Sequence, residues 1–408
     1  MADLGLSDGA WLTIVGMGED GAAGLAPASR AALAGAEVVT GSARLMALLE
    51  ADALAPGAER RVWPVPFAEG LDALLALRGR RVAVLASGDP FWFGAGSVLA
   101  RRLAPREWRA LPAPSTFSLA AARLGWPLET TLCLGLHAAP FERLRPTLAP
   151  GLRAIATLRD GAAPAALAGW LDALGFGATR LTVLEALGGP AERRRETTAA
   201  DFALGDVAHP VAVALEVAGR GPALPRASGL PDDAFEHDGQ ITKRAVRALT
   251  LSTLAPRDGE RLWDIGAGAG SVSVEWRLAA PRGHAVAIER DPGRAARVRR
   301  NAARFGLERL DVVEGAAPDA LGGLPAPDAV FVGGGLSEGL LVDLRARLAP
   351  GTRLVANAVT LEAEALLARW QAGTGGALAR IELSDALPLG TRRGWRARYP
   401  VVQWSVTL

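Results

Sequence analysis

Short apolar runs alternate with amphipathic stretches along the first half of the chain, from Trp11 to about Val217. Brief apolar runs bounded by turn residues are typical of buried strands, and apolar positions that recur every third or fourth residue are typical of helices. The predicted strands cover residues 12–15, 38–40, 82–86, 154–157, 181–184 and 211–215. This alternation predicts an α/β fold with parallel sheets covered by helices.

Glycine and proline interrupt the pattern at residues 219–238, and the alternation then resumes. The second half predicts helices at 242–254, 271–279, 292–305, 340–348 and 362–372, strands at 261–265, 285–289, 310–314, 329–332 and 353–357, and a β-rich end that includes 399–407. This order is typical of a doubly wound, Rossmann-like domain. We therefore predict an amino-terminal domain at 1–218, a linker at 219–238 and a carboxy-terminal domain at 239–408.

A glycine-rich loop joins the first strand and the next helix of the carboxy-terminal half, with the sequence Gly266-Ala267-Gly268-Ala269-Gly270. It places backbone N–H groups at a helix amino terminus, where a ligand can approach closely because glycine has no Cβ. Glu289 ends the next strand, where a carboxylate can accept both hydroxyls of a ribose. Dinucleotides and S-adenosylmethionine both fit such an arrangement, but dinucleotide loops usually follow the spacing G-x-G-x-x-G.

The loop resembles the G-x-G-x-G motif of class I S-adenosylmethionine-dependent methyltransferases, and residues 314–318 stand where that family cradles adenine. Segments 238–244, 331–335 and 357–362 make residues 232–408 similar to the CbiT type of precorrin methyltransferase. The resemblance implies cofactor contacts from Thr242, Gly266, Ala267, Gly268, Ala269, Gly270, Glu289, Ala316 and Ala317. It also implies methylation at C15 and loss of the C12 acetate carboxyl group, for which His237 and Glu275 are candidate assisting residues.

A different glycine loop, Gly16-Met17-Gly18-Glu19-Asp20-Gly21, lies near the amino terminus and fits the dinucleotide spacing. A dinucleotide site would need an acid at the end of the second strand, whereas Glu37 precedes that strand. Segments 86–94 and 113–118 instead make residues 10–217 resemble the CbiE branch of the tetrapyrrole methylases, in which S-adenosylmethionine lies in a cleft between two α/β lobes. The implied cofactor-binding residues are Gly16, Gly18, Gly88, Asp89, Pro90 and Ser115.

Several of these residues also have ordinary structural explanations. Glu19 and Asp20 replace the Pro-Gly that commonly follows this loop in the wider family. Asp89 could cap a turn and Ser115 could cap a helix. Trp92 and Phe93 could pack in the interior instead of stacking on a ligand.

A CbiE-like half fused to a CbiT-like half is similar to the two-domain enzymes of the aerobic, metal-free cobalamin pathway. The resemblance implies methylation of precorrin-6Y at C5 and C15 with decarboxylation to precorrin-8X, two S-adenosyl-L-methionine sites with one in each domain, a small-molecule tetrapyrrole substrate and a homo-oligomer. Two alternatives remain open here. One is an RNA or protein methyltransferase with the amino-terminal domain as a substrate adaptor, and the other is a tetrapyrrole carrier without catalytic activity.

The composition limits which binding partners and which cellular compartment we expect for this protein. The net charge is +2 and arginine is spread along all 408 residues, so we expect no nucleic-acid partner. A single cysteine, Cys133, and four separated histidines predict no metal site and no internal disulfide. Apolar stretches are too short to span a bilayer, and the first residues lack the basic region of a signal peptide. We therefore expect a cytoplasmic enzyme without a membrane partner.

Overall fold

The computed structural model of the protein describes residues 9–225 and 227–408. The chain divides into two compact units. The amino-terminal unit contains the described residues up to Ala139 together with Ala149–Pro222, and the carboxy-terminal unit contains Pro140–Leu148 and Ala223–Leu408. The functional boundaries predicted at 218 and 239 stay predictions.

Ten strands and six α-helices make up the described part of the amino-terminal unit. The strands are β1 (Leu12–Met17), β2 (Val38–Gly41), β3 (Glu59–Val62), β4 (Val82–Ser87), β5 (Trp108–Leu111), β6 (Leu132–Gly135), β7 (Arg153–Leu158), β8 (Arg180–Glu185), β9 (Arg193–Thr198) and β10 (Val211–Glu216). The helices are α1 (Pro27–Ala34), α2 (Ala43–Leu48), α3 (Gly70–Leu75), α4 (Gly96–Ala100), α5 (Thr116–Leu124) and α6 (Ala163–Ala173).

The first sheet of this unit is parallel, with the strand order β3-β2-β4-β1-β5. Strand β1 is buried along its whole length, as its continuous apolar sequence predicts. Its end aligns with the end of β4, since Gly16 pairs with Ala86 and Met17 with Ser87. The loops that follow β1 and β4 therefore leave the sheet side by side.

The second sheet corrects the prediction of parallel sheets throughout. Its order is β6-β7-β10-β8-β9, and only β6 and β7 run parallel. Strand β10 is antiparallel to both β7 and β8, and β9 is antiparallel to β8. Two features explain this error. Strand β9, of sequence RRRETT, has no apolar residues and does not resemble a buried strand. The central strands are buried on both faces, so their apolar sequences do not show whether they run parallel or antiparallel.

The carboxy-terminal unit contains nine strands and five α-helices in its described part. The strands are β11 (Arg261–Ile265), β12 (His284–Glu289), β13 (Leu310–Glu314), β14 (Ala329–Val332), β15 (Arg353–Ala358), β16 (Ala377–Ile381), β17 (Ser384–Leu389), β18 (Arg392–Ala397) and β19 (Val401–Thr407). The helices are α7 (Arg244–Leu254), α8 (Ser271–Ala279), α9 (Pro292–Arg304), α10 (Glu338–Arg347) and α11 (Leu361–Thr374).

Seven strands form the main sheet of this unit, in the order β13-β12-β11-β14-β15-β19-β16. The first five are parallel, and β19 lies antiparallel between β15 and β16. Strands β17 and β18 form a separate hairpin. The change of strand order on either side of β11 places the loop after β11 at the topological switch point, where doubly wound folds bind ligands.

A buried polar network fixes β19 in this sheet. The Nε2 amide of Gln403 donates to Thr250 Oγ1 at 3.0 Å and to Asn357 Oδ1 at 2.9 Å. The Nδ2 amide of Asn357 also donates to Thr250 Oγ1, at 3.0 Å. Buried amides are costly unless they are bonded, so this network specifies one register for β19.

Across residues 9–225 and 227–408, no helix is long and apolar enough to cross a membrane.

Candidate functional site

The amino-terminal loops converge as the sequence predicts. Gly16 requires glycine because a Cβ there would lie 2.1 Å from the carbonyl oxygen of Gly88 and 2.5 Å from the backbone nitrogen of Ala113. Ala113 N–H in turn donates to Gly88 O at 3.2 Å. The three segments that the sequence singled out therefore meet at the carboxyl edge of the first sheet.

A cavity of about 590 Å³ opens beside these loops. Of the predicted cofactor-binding residues, Gly18, Gly88, Asp89 and Ser115 line it, whereas Gly16 packs against Gly88 and Pro90 against Gly94, which are lining residues. Its other walls come from the second sheet, including Thr157 of β7, Leu184 of β8 and Val211 of β10. A concave, mostly apolar cavity of this size, lined by elements of both sheets, is suited to a small-molecule ligand.

The structural roles considered for Asp89 and Ser115 are also observed. Asp89 Oδ1 accepts the N–H of Phe91 at 2.8 Å, which closes a turn, and Ser115 Oγ accepts the N–H of Ser118 at 3.0 Å, which caps α5. Each side chain keeps further lone pairs, so these contacts do not prevent ligand binding. Trp92 stacks on Phe117 with ring centroids 5.2 Å apart while it lines the cavity.

Arg44 is a cavity residue that the sequence analysis missed. Its Nη1 pairs with Glu19 of the first glycine loop, and its Nη2 donates to Oγ of Ser87, the last residue of β4, at 2.6 Å. Burial lowers the pKa of Arg44 from its usual value, but an arginine remains charged. Glycine spacing gave no sign of this contact; the available signal was a cation placed just after the carboxyl end of β2.

The glycine loop of the carboxy-terminal unit is tightly constrained. Gly266, Gly268 and Gly270 all have positive φ, of 71°, 58° and 72°. A Cβ on Gly266 would lie 2.6 Å from Gly334 Cα, and one on Gly270 would lie 2.6 Å from Val298 Cγ1. The loop thus packs against the glycine segment that follows β14, and a side chain would displace backbone at Gly266.

Glu289 joins this loop to the end of β12. Its Oε2 accepts the N–H of Gly268 at 2.8 Å, and its Oε1 accepts the N–H of Asp291 at 3.0 Å. The residue is only 4% exposed. Because each carboxylate oxygen has two acceptor positions, both oxygens can still accept hydrogen bonds from a pair of hydroxyl groups.

Asp264, at the end of β11, presents a buried acceptor beside the same loop. Its Oδ2 accepts hydrogen bonds from Ser273 Oγ at 2.7 Å and from Ser273 N–H at 3.1 Å. Its Oδ1 is buried, and no described residue bonds to it. Burial, opposed by the Ser273 hydrogen bonds and reinforced by the charge of Glu289, raises the pKa of Asp264 to about 6. An unbonded buried acceptor is costly and suggests that a ligand supplies the missing donor.

The other predicted cofactor-binding residues of this unit differ in their exposure and contacts. Ala316 is exposed and Ala317 half-buried just after β13, whose end aligns with Glu289. Thr242 lies before α7, which begins two residues later than predicted, and its carbonyl accepts from Arg247. A Cβ added to Gly268 would lie 3.1 Å from the carbonyl oxygen of Gln240.

The two residues suggested for decarboxylation, Glu275 and His237, both form hydrogen bonds within the local structure. Glu275, 3% exposed, accepts the N–H of Leu230 at 2.9 Å and pairs with Arg247 Nε at 2.6 Å. His237 Nδ1 accepts the N–H of Gly239 at 3.0 Å. The catalytic role of Glu275 stays a prediction, but a side chain buried in an ion pair and engaged through both oxygens is poorly placed for proton transfer.

Comparison with known proteins covers both units. A family model described as tetrapyrrole (corrin/porphyrin) methylases matches residues 11–203, and one described as a precorrin methyltransferase domain matches residues 233–408. The chain is 52% identical over 415 residues to a precorrin-6Y C(5,15)-methyltransferase (decarboxylating) from Sinorhizobium sp, with 100% of each chain covered. It is 44% identical to the protein of that name from Mycobacterium tuberculosis (strain CDC 1551 / Oshkosh), with 97% of this chain and 99% of the relative covered.

A solved structure of the C-terminal domain of precorrin-6Y C5,15-methyltransferase from Rhodobacter capsulatus is 53% identical, with a TM-score of 0.44. It covers 45% of this chain and 100% of that domain. The predicted fold class, a tetrapyrrole methylase fold followed by a class I methyltransferase domain, is confirmed by the family matches. The chain belongs to the family of precorrin-6Y C5,15-methyltransferases (decarboxylating), methyltransferases that use S-adenosylmethionine.

Proposed function

We propose that this chain methylates precorrin-6Y at C5 and C15 and decarboxylates its C12 acetate to give precorrin-8X. The match of 52% identity over the whole chain is the observation that carries this proposal. It favours a tetrapyrrole substrate over RNA or protein, because both family models that match are described by tetrapyrrole or precorrin methylation.

We further propose one S-adenosylmethionine site in each unit. In the carboxy-terminal unit the fit rests on the glycine cradle, the free lone pairs of Glu289 and the unbonded Oδ1 of Asp264. Glu289 would hold the ribose hydroxyls, and Asp264 would accept from an N–H group of the cofactor. In the amino-terminal unit the fit rests on the cavity lined by Gly18, Gly88, Asp89 and Ser115.

The chemistry requires little acid or base assistance from the protein. Bound S-adenosylmethionine supplies an activated methyl group, and the meso carbons of a reduced tetrapyrrole are enamine-like nucleophiles. The chain therefore contributes alignment and exclusion of water. The aromatic wall formed by Trp63, Trp92 and Phe117 gives the amino-terminal cavity an apolar surface suited to a macrocycle.

For the carboxyl loss, the electrons of the breaking bond flow into the macrocycle. The protein's part is to hold the ring in position. His237 and Glu275 remain candidates whose contacts suggest structural roles.

Full-length protein variants test the assignment of one methylation to each unit. Gly16→Val fills the space between Gly88 and Ala113, and Glu289→Ala removes the proposed ribose acceptor. Incubation with precorrin-6Y and S-adenosylmethionine, followed by mass spectrometry, should show loss of C5 methylation in the first variant. The second should lose C15 methylation and carbon dioxide release. Loss of both methylations in each correctly folded variant, or methylation of RNA by the wild type, would overturn the proposal.

The prediction that the chain forms a homo-oligomer is kept as part of this proposal. Light scattering coupled to size-exclusion chromatography measures the mass directly, and a mass of 42.3 kDa would identify a monomer. A monomer would contradict the oligomer without affecting the proposed chemistry.

A further inference from the structure

The cavity of the amino-terminal unit has an uneven distribution of charge. Arg44 is the one arginine among the described residues that line it, and two of the chain's four histidines, His137 and His209, also line it. Most other lining residues are apolar or aromatic. In an apolar cavity a few polar groups fix the orientation of a ligand, so these three side chains mark where an anionic group would bind.

Arg44 is held rigidly at one side of this cavity. Its two terminal nitrogens contact Glu19, in the loop after β1, and Ser87, the last residue of β4. The Arg44 side chain is 27% exposed, and the Glu19 side chain is 15% exposed. Since its rotamer is already fixed by these partners, a further hydrogen bond from the guanidinium to a ligand would cost little additional side-chain entropy.

His209 reaches the cavity from the segment that precedes β10. Its neighbours are anchored on both sides, because Ala208 N–H donates to the buried Glu185 Oε2 at 2.6 Å and Ala186 N–H donates to Pro210 O at 2.9 Å. Partial burial, and then the charge of Arg44, lower the pKa of His209, while Asp160 opposes the shift. Both residues line the same cavity, so the charge of Arg44 acts on His209. His137 lies in the same wall, with Nδ1 at 3.3 Å from Thr157 Oγ1.

The acids in the cavity wall are already engaged. Glu19 pairs with Arg44, and Asp89 Oδ1 accepts the N–H of Phe91. A carboxylate ligand would be repelled by Asp89 and attracted by the guanidinium of Arg44, while a neutral imidazole can still donate one N–H to it. The charge pattern therefore directs an anion toward the side of the cavity occupied by Arg44 and His209.

We propose that Arg44 and His209 form a carboxylate-binding site in the amino-terminal cavity, with Arg44 as the principal anchor. This inference rests on the proposed function, which supplies two sources of a carboxylate, an acidic side chain of the tetrapyrrole or the methionyl group of S-adenosylmethionine. Arg44 donates N–H groups to the carboxylate oxygens, and the imidazole N–H of His209 donates from the facing wall. Glu19 limits the affinity, because it already neutralises Arg44.

Opposite effects of two neighbouring substitutions distinguish this site from a purely structural ion pair. Arg44→Gln removes the anchor, and Glu19→Gln keeps a hydrogen-bond acceptor for Arg44 while removing the competing charge. Carboxylate recognition predicts weaker binding in Arg44→Gln, by about tenfold or more, and equal or tighter binding in Glu19→Gln. A structural role predicts weaker binding in both. His209→Gln should weaken binding in the same direction as Arg44→Gln, and the exposed Arg106→Gln serves as the matched control.

The experiment uses the full chain and two binding probes, followed by C5 methylation kinetics. The probes are S-adenosylhomocysteine and a stable metal-free corrin polycarboxylic acid, measured by calorimetry, with the esterified corrin as a charge-free comparison. Weaker binding of S-adenosylhomocysteine alone assigns the site to the methionyl group. Weaker binding of the corrin acid but not of its ester, with a raised KM for the tetrapyrrole, assigns it to the substrate.

Unchanged binding of both probes in Arg44→Gln would overturn the inference, as would equal losses in Arg44→Gln and Glu19→Gln. Failure of the proposed function has a different signature, since the wild-type chain would then leave C5 of precorrin-6Y unmethylated. If the wild-type chain methylates C5, the results with Arg44→Gln test only the proposed carboxylate site.

Discussion

The side-chain amide of Asn301 donates a hydrogen bond of 2.8 Å to the carbonyl oxygen of Ala269 in the second glycine loop. The same Nδ2 donates to Glu236 O at 3.0 Å, and Oδ1 accepts the N–H of Glu236 at 2.9 Å. Asn301 is only 1% exposed on α9. One side chain thus joins the glycine loop to the segment that precedes α7.

Asn301→Ala should loosen the second glycine loop. It leaves the buried carbonyl of Ala269 and the N–H of Glu236 without these partners, at a cost of about 1–3 kcal/mol in the free energy of unfolding. We expect weaker S-adenosylhomocysteine binding in the carboxy-terminal unit, with C15 methylation reduced more than C5 methylation. Product mass spectrometry measures the ratio of the two. Arg299→Gln, an exposed change on the same helix, is the control, and equal loss of both methylations would contradict the expectation.

The close approach of Gly266 to Gly334 can be separated from backbone strain. Gly266→Ala and Gly335→Ala both place a Cβ at positive φ, of 71° and 73°, but only the first meets backbone atoms, whereas the second meets open space. Gly335→Ala should cost about 1–2 kcal/mol through strain alone. Gly266→Ala should cost about 1–3 kcal/mol more, because the Gly334 backbone must move.

Urea unfolding measures this difference, with tryptophan fluorescence as the probe. Equal unfolding midpoints for the two alanine variants would show that the loops separate easily. That result would remove the steric reason for glycine at 266.

The raised pKa of Asp264 predicts a pH-dependent stability. The folded state holds this proton more tightly than the unfolded chain, so its stabilising contribution is complete below about pH 3.8 and is lost as the pH rises through about 6. Asp264→Asn removes the buried charge and should stabilise the protein at pH 8 by up to about 2–3 kcal/mol, with little gain below pH 4.

Thermal unfolding across this pH range measures the effect on Asp264→Asn. The same variant should bind S-adenosylhomocysteine more weakly if Oδ1 accepts from the cofactor, because an amide nitrogen would replace an acceptor. Parallel stability curves for variant and wild type would contradict the pKa shift.

Glu275→Gln should act on stability and leave the decarboxylation step itself unaffected. It removes one of the two carboxylates that pair with the buried Arg247, the other being Asp232, so we expect a cost of about 1–3 kcal/mol in the free energy of unfolding. The folded fraction should still couple carbon dioxide release to C15 methylation. The ratio of carbon dioxide released to C15-methylated product is the measurement, with His237→Gln as the comparison. A fall in that ratio in either variant would restore the residue as a candidate for catalysis.

The sequence predicted the carboxy-terminal unit well, because its strands are short apolar runs and its loop glycines have a diagnostic spacing. Strands β11 and β14 have the predicted bounds, and Gly268 and Glu289, both predicted as cofactor-binding residues, share a hydrogen bond. The amino-terminal unit was harder. Strand direction in its second sheet depends on pairing between distant segments, which periodicity along the chain does not encode.

Site residues identified only in the structure share one property. Arg44 and Asn301 act through contacts to partners far away in the chain, Ser87 and Ala269, and neither belongs to a glycine motif. A polar residue at a core position of α9, beside the buried Val298 and Ala302, was the available signal for Asn301. For Arg44 the available signal was its place just after the carboxyl end of β2.

The position of β19 has a consequence for protein synthesis. This strand contributes Val401–Thr407, yet it lies between β15 and β16 and supplies Gln403 to the network with Thr250 and Asn357. While a ribosome is still translating, β15 and β16 have no strand to join them, and both present open edges. Folding of this unit therefore waits until β19 has been synthesised, whereas the amino-terminal unit can fold earlier during translation. Chaperones that shield exposed strand edges would act on this half of the nascent chain.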